Sequence, residues 1–105
     1  MRRKQYRTAV VLYGLPDWFT ATALCHAASD IGSFHDVRLS RPPGRIGYVE
    51  FATASQAARA AERWNGTMLF GAQIAVYTIL PIFVRVTATE ALIGIPDATS
   101  LSQWN

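Results

Sequence analysis

The first third of the chain passes from one hydrophobic pattern to another, the first typical of a strand and the second of a helix. Residues 8–13 (TAVVLY) are β-branched and apolar and stop at residues 14–16 (GLP), which predicts a buried strand that ends in a turn. From about Thr20 to Ile31 alanine and leucine take over, and the apolar residues recur at helical spacing. Gly32 then supplies a suitable helix stop.

The middle of the chain continues with strand, strand, helix and strand patterns. Residues 35–40 (HDVRLS) and 44–51 (GRIGYVEF) alternate apolar and polar positions, which predicts two half-exposed strands joined by a Pro-Pro turn. Residues 53–56 (TASQ) form a capping box at the start of a second helix, which runs to about Trp64. Residues 73–78 (QIAVYT) alternate again and predict the last strand.

The predicted order is β-α-β-β-α-β, the split ferredoxin-like arrangement of the α+β class. This fold has a four-stranded antiparallel sheet with both helices on one face, and it leaves the other face open for binding. We expect a basic N-terminal arm over residues 1–7, a domain over residues 8–78 and a C-terminal extension over residues 79–105. The extension should contain a short strand and a helix and dock either on the domain's own sheet or on a partner.

Composition narrows the class of protein. Half of the 105 residues are hydrophobic, so the chain can bury a core. The one cysteine excludes an internal disulfide and a multi-cysteine zinc site, and it fits a reducing compartment. No apolar run reaches the roughly 18 residues needed to span a bilayer, and the start of the chain has no signal-peptide pattern.

The net charge of +3 is concentrated at the N-terminus. The arm holds four of the ten basic residues and no acidic residue, whereas residues 8–78 are neutral. A basic arm suits phosphate or an acidic partner surface. The alternatives are a terminus that serves only solubility and an organelle-targeting segment.

Over residues 8–78 the chain resembles an RNA recognition motif (RRM). The family's first-strand motif is apolar-aromatic-apolar-x-Asn-Leu, and residues 10–15 (VVLYGL) lie over it. Its third-strand motif is basic-Gly-aromatic-Gly-aromatic-apolar-x-aromatic, and residues 44–51 lie over it. Residues 60–66 (AAERWNG) are similar to the family's alanine-rich helix that closes in Asn-Gly, and residues 71–76 match the entry to its last strand.

Strand parity predicts which side chains reach the open face of the sheet. Val49 and Phe51 must face the helices, so Tyr48 and Ile46 point the other way. The resemblance implies that bases stack on aromatic rings of this face and that nearby arginines hold phosphates. The candidate RNA-binding residues are Tyr48, Tyr13, Val11, Ile46, Arg38, Arg41, Arg45 and Tyr77, with Arg2, Arg3 and Lys4 of the arm.

Two of the three usual stacking positions of the family are aliphatic in this chain. The three positions correspond to Val11, Ile46 and Tyr48, of which Val11 and Ile46 are aliphatic. Because a stacked base is worth ~1–3 kcal/mol, losing two aromatic rings costs roughly 2–6 kcal/mol relative to a fully equipped member. Tyr13 and Tyr77 could replace part of this from displaced positions. We therefore expect weak and salt-dependent binding of single-stranded RNA.

The alternative is a protein-interaction module that keeps the fold without direct RNA readout. Val11, Ile46 and the C-terminal extension would then form its docking surface. Residues 82–87 alternate like a strand, and residues 87–90 (TATE) form a second capping box before an apolar turn of helix. The candidate protein-binding residues are Ile82, Phe83, Val84, Val86, Leu92 and Ile93.

No pattern in the sequence indicates catalysis. Cys25 and His26 are adjacent on a predicted helix and do not face each other. His35 has no partner at metal-ligand spacing, and residues 14–16 do not supply the anion loop of an acylphosphatase. We expect no enzymatic activity, no catalytic or metal-binding residues, no cofactor and no membrane association.

The leading hypothesis is a small single-RRM protein within a larger ribonucleoprotein complex. Its partners would be single-stranded RNA and protein subunits of that complex. We expect the protein inside the cell, with the nucleus as the first expected compartment and the mitochondrion as the second.

Overall fold

The computed structural model describes residues 6–69 and 71–82. Its elements confirm the ferredoxin-like order, with a small additional hairpin before the last strand. In chain order they are β1 (Ala9–Leu15), α1 (Ala21–Ile31), β2 (Phe34–Leu39), β3 (Arg45–Phe51), α2 (Ala54–Trp64), β4 (Met68–Leu69), β5 (Ala72–Gln73) and β6 (Ala75–Ile79).

One antiparallel sheet carries the fold, and both helices pack on one of its faces. The strand order is β2-β3-β1-β6, so β1 and β3 form the centre. The main core joins inward residues of the central strands to small residues of the helices. It includes Val10, Leu12, Val49 and Phe51 from the sheet and Leu24, Ala28, Ala57 and Ala60 from the helices. The predicted parity of the central strands is therefore correct.

The helix ends follow the predicted local chemistry. The Thr20 hydroxyl accepts a hydrogen bond from the Ala23 amide before α1, and the Gly32 amide closes that helix by donating to the Ala28 carbonyl. At α2 the capping box is reciprocal, because Thr53 and Gln56 each accept the other's backbone N–H. These contacts satisfy amides that a helix leaves without intrahelical partners.

Two strand boundaries differ from the sequence-based expectation. The turn predicted at residues 14–16 does not end β1, because Gly14 adopts a positive φ of 96° and lets the strand resume at the buried Leu15. The predicted last strand over residues 73–78 is split. Ile74 donates to the Thr67 carbonyl, so Gln73 belongs to the β4–β5 hairpin and β6 begins at Ala75.

Several predicted features lie outside the described residues. They are the arm residues Arg2, Arg3 and Lys4 and the extension residues Phe83, Val84, Val86, Leu92 and Ile93. Ile82 is the last described residue, and its side chain is exposed. Within residues 6–69 and 71–82, no helix is long and apolar enough to cross a membrane.

Gly47 leaves no room for a side chain between β3 and the leucines of β1 and α1. A Cβ atom there would lie 2.9 Å from Leu15 Cδ1 and 3.2 Å from Leu24 Cδ2. We expect Gly47→Ala to lower the free energy of unfolding by roughly 1–3 kcal/mol, because the packed leucines must move. Chemical denaturation measures this change.

Glu50→Ala is the matched control on the same strand. Glu50 lies on the opposite face and is half-buried, so we expect a change within about 0.5 kcal/mol. Equal stability of the Gly47→Ala variant and the unchanged protein would contradict the close packing.

Candidate nucleic-acid interface

The sheet face opposite the helices, here called the open face, carries a row of side chains across all four strands. The register pairs Arg38 of β2 with Tyr48 of β3, Tyr48 with Val11 of β1, and Val11 with Tyr77 of β6. These four residues therefore share the face that parity predicts for them. Ile46 lies on the same face of β3, two positions from Tyr48.

Tyr48 occupies the middle of this row, but its side chain is buried. Its exposed fraction is 0%, and it forms a small second core with Ala9 and Ile79. The chain after β6 returns to this ring, and the Ile82 amide donates a hydrogen bond of 3.2 Å to the Tyr48 hydroxyl. We call residues 80–82 the returning segment. The Tyr48 ring points to the predicted face, but its expected exposure is wrong. Ala9 and Ile79 pack against it, and the chain after β6 supplies a hydrogen bond to its hydroxyl.

The exposed aromatic surface lies on the β1–β6 half of the sheet instead. Tyr13 and Tyr77 are 44% and 56% exposed, and their ring centroids are 5.9 Å apart in an edge-to-face arrangement. Tyr13 pairs with Ala75 and Tyr77 with Val11, so the two rings are diagonal neighbours on adjacent strands. Val11 itself is buried, and Ile46 is half-buried.

The three arginines predicted near this face have different surroundings. Arg38 forms an ion pair of 2.9 Å with Asp36 on the same strand. Arg45 donates to the Asp17 carbonyl at 2.9 Å and to the Ser40 carbonyl at 2.8 Å, so it joins two loops. Arg41 is exposed in the connection between β2 and β3. The structure therefore gives Arg45 a structural task and leaves Arg41 facing solvent.

An exposed tryptophan adds an aromatic side chain that the sequence patterns did not single out. Trp18 is 68% exposed in the loop between β1 and α1. In the sequence, Trp18 lies between Asp17 and Phe19 in a loop whose residues follow neither the strand nor the helix pattern of apolar positions. Such a position does not distinguish a buried ring from an exposed one.

The remaining surfaces offer less chemistry. Among the described residues, no group of three or more His, Cys, Asp and Glu side chains could hold a metal ion. A groove of about 820 Å³ lies between α1 and α2, and His26, Asp30, Arg63 and Trp64 are among its lining residues. Its charges are mixed, and its aromatic ring is buried.

The sequence and structure were compared with known proteins. The family model described as the RNA recognition motif matches residues 10–75. A comparison with curated protein sequences finds no match.

Several similar solved structures are RNA recognition domains. The third RRM domain of Mip6 has a TM-score of 0.63 and 18% identity, covering 70% of this chain and 94% of that one. The Rna15 RRM with bound RNA (GU) has a TM-score of 0.61 and 22% identity, covering 70% and 83%. Domains 1 and 2 of Sex-lethal from Drosophila melanogaster give 0.63 and 22%, covering 70% and 50%.

Burial of Tyr48 predicts a large stability cost for its removal. We expect Tyr48→Ala to lower the free energy of unfolding by about 3–5 kcal/mol, because a fully buried ring leaves a cavity. Chemical denaturation of the full chain measures this loss.

Tyr77→Ala is the matched comparison for Tyr48→Ala. It removes the same side chain from the same row, where the ring is exposed. We expect this variant to lose about 1 kcal/mol or less. A similarly small loss for Tyr48→Ala would show that its ring is open to solvent.

Proposed function

The chain belongs to the RNA recognition motif family of RNA-binding domains, and we propose that it binds single-stranded RNA weakly as a subunit of a larger ribonucleoprotein complex. The family match covers residues 10–75, and the described fold agrees with it. A domain of similar fold, the Rna15 RRM, has been solved with bound RNA (GU). Members of this family typically act by binding and not by catalysis.

The observation that carries this proposal is the exposed Tyr13–Tyr77 pair. Both rings lie on the open face and retain accessible surface, and stacked bases need such aromatic surface. Each stacked base contributes ~1–3 kcal/mol, and stacking tolerates any base because every base has a π-face. Two rings therefore support modest affinity with little sequence preference.

Arginines and the basic arm would add contacts to phosphates. Arg41 is exposed next to the open face, and Arg2, Arg3 and Lys4 are proposed contacts from the arm. Each phosphate neutralised on a single strand steepens the dependence of log affinity on log salt by about 0.7. Since residues 8–78 are neutral as a whole, binding should weaken markedly as salt rises.

Tyr48 can contact RNA only when its covering is removed. In the arrangement described, Tyr48 is fully buried and packs with Ala9 and Ile79, and the Ile82 amide of the returning segment donates to its hydroxyl. A role for Tyr48 in stacking is therefore proposed for a form in which residues 80–82 have left the ring. Binding to the Tyr13–Tyr77 pair does not require that movement.

The second candidate function is protein binding without RNA readout. The burial of Val11 and Tyr48 favours it, because the middle of the open face is used for packing inside the chain. Ile82 and Leu80 remain exposed on the returning segment and provide apolar surface for a partner. Phe83, Val84, Val86, Leu92 and Ile93 are proposed to extend that surface, together with Ile46 on the open face.

Removing one ring of the exposed pair tests RNA binding directly. We expect Tyr77→Ala to weaken binding of a mixed-sequence single-stranded RNA by about 5- to 150-fold, the equivalent of one lost stacking contact. Fluorescence anisotropy at several salt concentrations measures both the affinity and its salt slope.

Met68→Ala is the control for this titration. Met68 is 69% exposed, against 56% for Tyr77, and it lies on β4 of the small hairpin, outside the four-stranded sheet. We expect at most a twofold change in affinity. If Tyr77→Ala binds RNA as well as the unchanged protein, the exposed pair is not the binding surface.

Affinity purification from cells separates the two candidate functions. For a ribonucleoprotein subunit we expect RNA and proteins to co-purify, and we expect nuclease treatment before capture to release part of the protein set. Tyr77→Ala should reduce the RNA recovered by crosslinking, whereas Met68→Ala should not. A stoichiometric protein partner that resists nuclease, with no crosslinked RNA, would instead support the protein-binding module.

A further inference from the structure

Trp18 is a fixed and exposed indole. Tryptophan is usually largely buried, yet 68% of this side chain faces solvent. The residue after it, Phe19, is fully buried in the main core, and its amide donates to the Pro16 carbonyl at 3.0 Å. Trp18 therefore does not belong to a loosely attached loop.

The residue before Trp18 anchors the loop on its other side. The Asp17 carboxylate accepts a hydrogen bond of 2.6 Å from the Gly44 amide, and its carbonyl accepts one of 2.9 Å from Arg45. These contacts join the β1–α1 loop to the connection between β2 and β3. The backbone of Trp18 lies between two anchored neighbours, and the centroid of its ring lies 6.4 Å from that of the buried Phe19. These contacts reduce the freedom that would be lost when a ligand packs on the indole.

This loop follows β1 at the end of the sheet nearest Tyr13. Leu15, the last residue of β1, pairs with Arg45, and Tyr13 lies two positions earlier on the open face. Arg41 is exposed in the connection that the Asp17 contacts tie to this loop. An aromatic surface on β1 is thus followed along the chain by an exposed indole with an exposed guanidinium in the neighbouring loop.

We propose that Trp18 is a further base-stacking residue and that a single RNA strand runs from the Tyr13–Tyr77 pair past the end of the sheet onto its indole. Arg41 would contact the phosphates of the bases at this end. This inference rests on the proposed RNA-binding function and deepens it, because it sets the direction and the length of the bound strand.

The charges at the two ends of the open face favour this direction. At the opposite end Asp36 and Glu50 are cross-strand neighbours, and two arginines accompany them: Arg38 is engaged by Asp36, and Arg7 donates to the Thr78 carbonyl. At the Trp18 end, Arg41 and Arg45 outnumber Asp17. Among the described residues the Trp18 end therefore carries the excess of positive charge, which favours phosphates there.

Trp18→Leu and Trp18→Phe test the proposal on the full chain. Leucine keeps apolar bulk without an aromatic ring, whereas phenylalanine keeps a ring. We expect Trp18→Leu to weaken binding of mixed-sequence RNA of about eight nucleotides by about 5- to 150-fold, and Trp18→Phe to retain most of the affinity. Both variants should bind RNA of about four nucleotides within about twofold of the unchanged protein, because a short strand is held by the tyrosine pair.

Tryptophan fluorescence gives an independent readout. Of the other two tryptophans, Trp64 is buried and Trp104 lies outside the described residues. We expect the longer RNA to quench the emission of the unchanged protein, and the part of this quenching that Trp18→Phe loses is the part due to Trp18. Thermal unfolding of both variants checks that the fold is kept, as expected for an exposed position.

The outcomes distinguish this inference from the function on which it rests. If the unchanged protein binds neither RNA length, the proposed RNA-binding function fails and this extension fails with it. If it binds RNA and Trp18→Leu binds the longer strand equally well, only the stacking role of Trp18 is overturned. Loss of a protein partner on Trp18→Leu, with RNA binding unchanged, would overturn it in favour of a protein contact.

Discussion

The antiparallel pairing of β1 with β3 is the constraint on which both faces of the sheet depend. Val10 pairs with Val49 and supplies the main core, while the next pair, Val11 with Tyr48, points to the open face. A slip of one residue would exchange these sets and place a phenol against the helices. The absence of a side chain at Gly47 keeps the central strands close to Leu15 and Leu24. The register of β1 and β3 thus decides which side chains lie in the main core and which lie on the open face.

That register also creates a difficulty, because it places apolar residues in the middle of a face that has no helices. Ala9, Val11, Tyr48 and Ile79 would expose a continuous apolar area to water. The fold meets this by burying Val11, by packing Ala9, Tyr48 and Ile79 together, and by bringing the returning segment to the Tyr48 hydroxyl. Burial of the ring then stabilises the fold, and the same burial withholds it from a ligand.

Local sequence patterns predicted what depends on neighbouring residues. Alternation gave the direction of Tyr48 and Phe51, and the Thr53–Gln56 spacing gave the start of α2. The features that the sequence left open or missed depend on residues far apart in the chain. Ile82 and Tyr48 are 34 positions apart, and Arg45 and Asp17 are 28 apart. Parity states where a side chain points, but it does not state which segment arrives to cover it or which arginine is tied to a loop.

The open face consequently has two parts that differ in exposure. A tyrosine that completes a second core cannot offer the same ring surface to a base, so a central aromatic in the third-strand motif is not by itself evidence of an accessible stacking site. Tyr13, Tyr77 and Trp18 contribute little to the core and keep much of their side-chain surface in solvent. Ala9, Tyr48 and Ile79 thus stabilise the fold, and the proposed ligand contacts lie on the exposed aromatic residues. This division explains how a chain with aliphatic residues at two usual stacking positions still retains an aromatic surface suited to RNA.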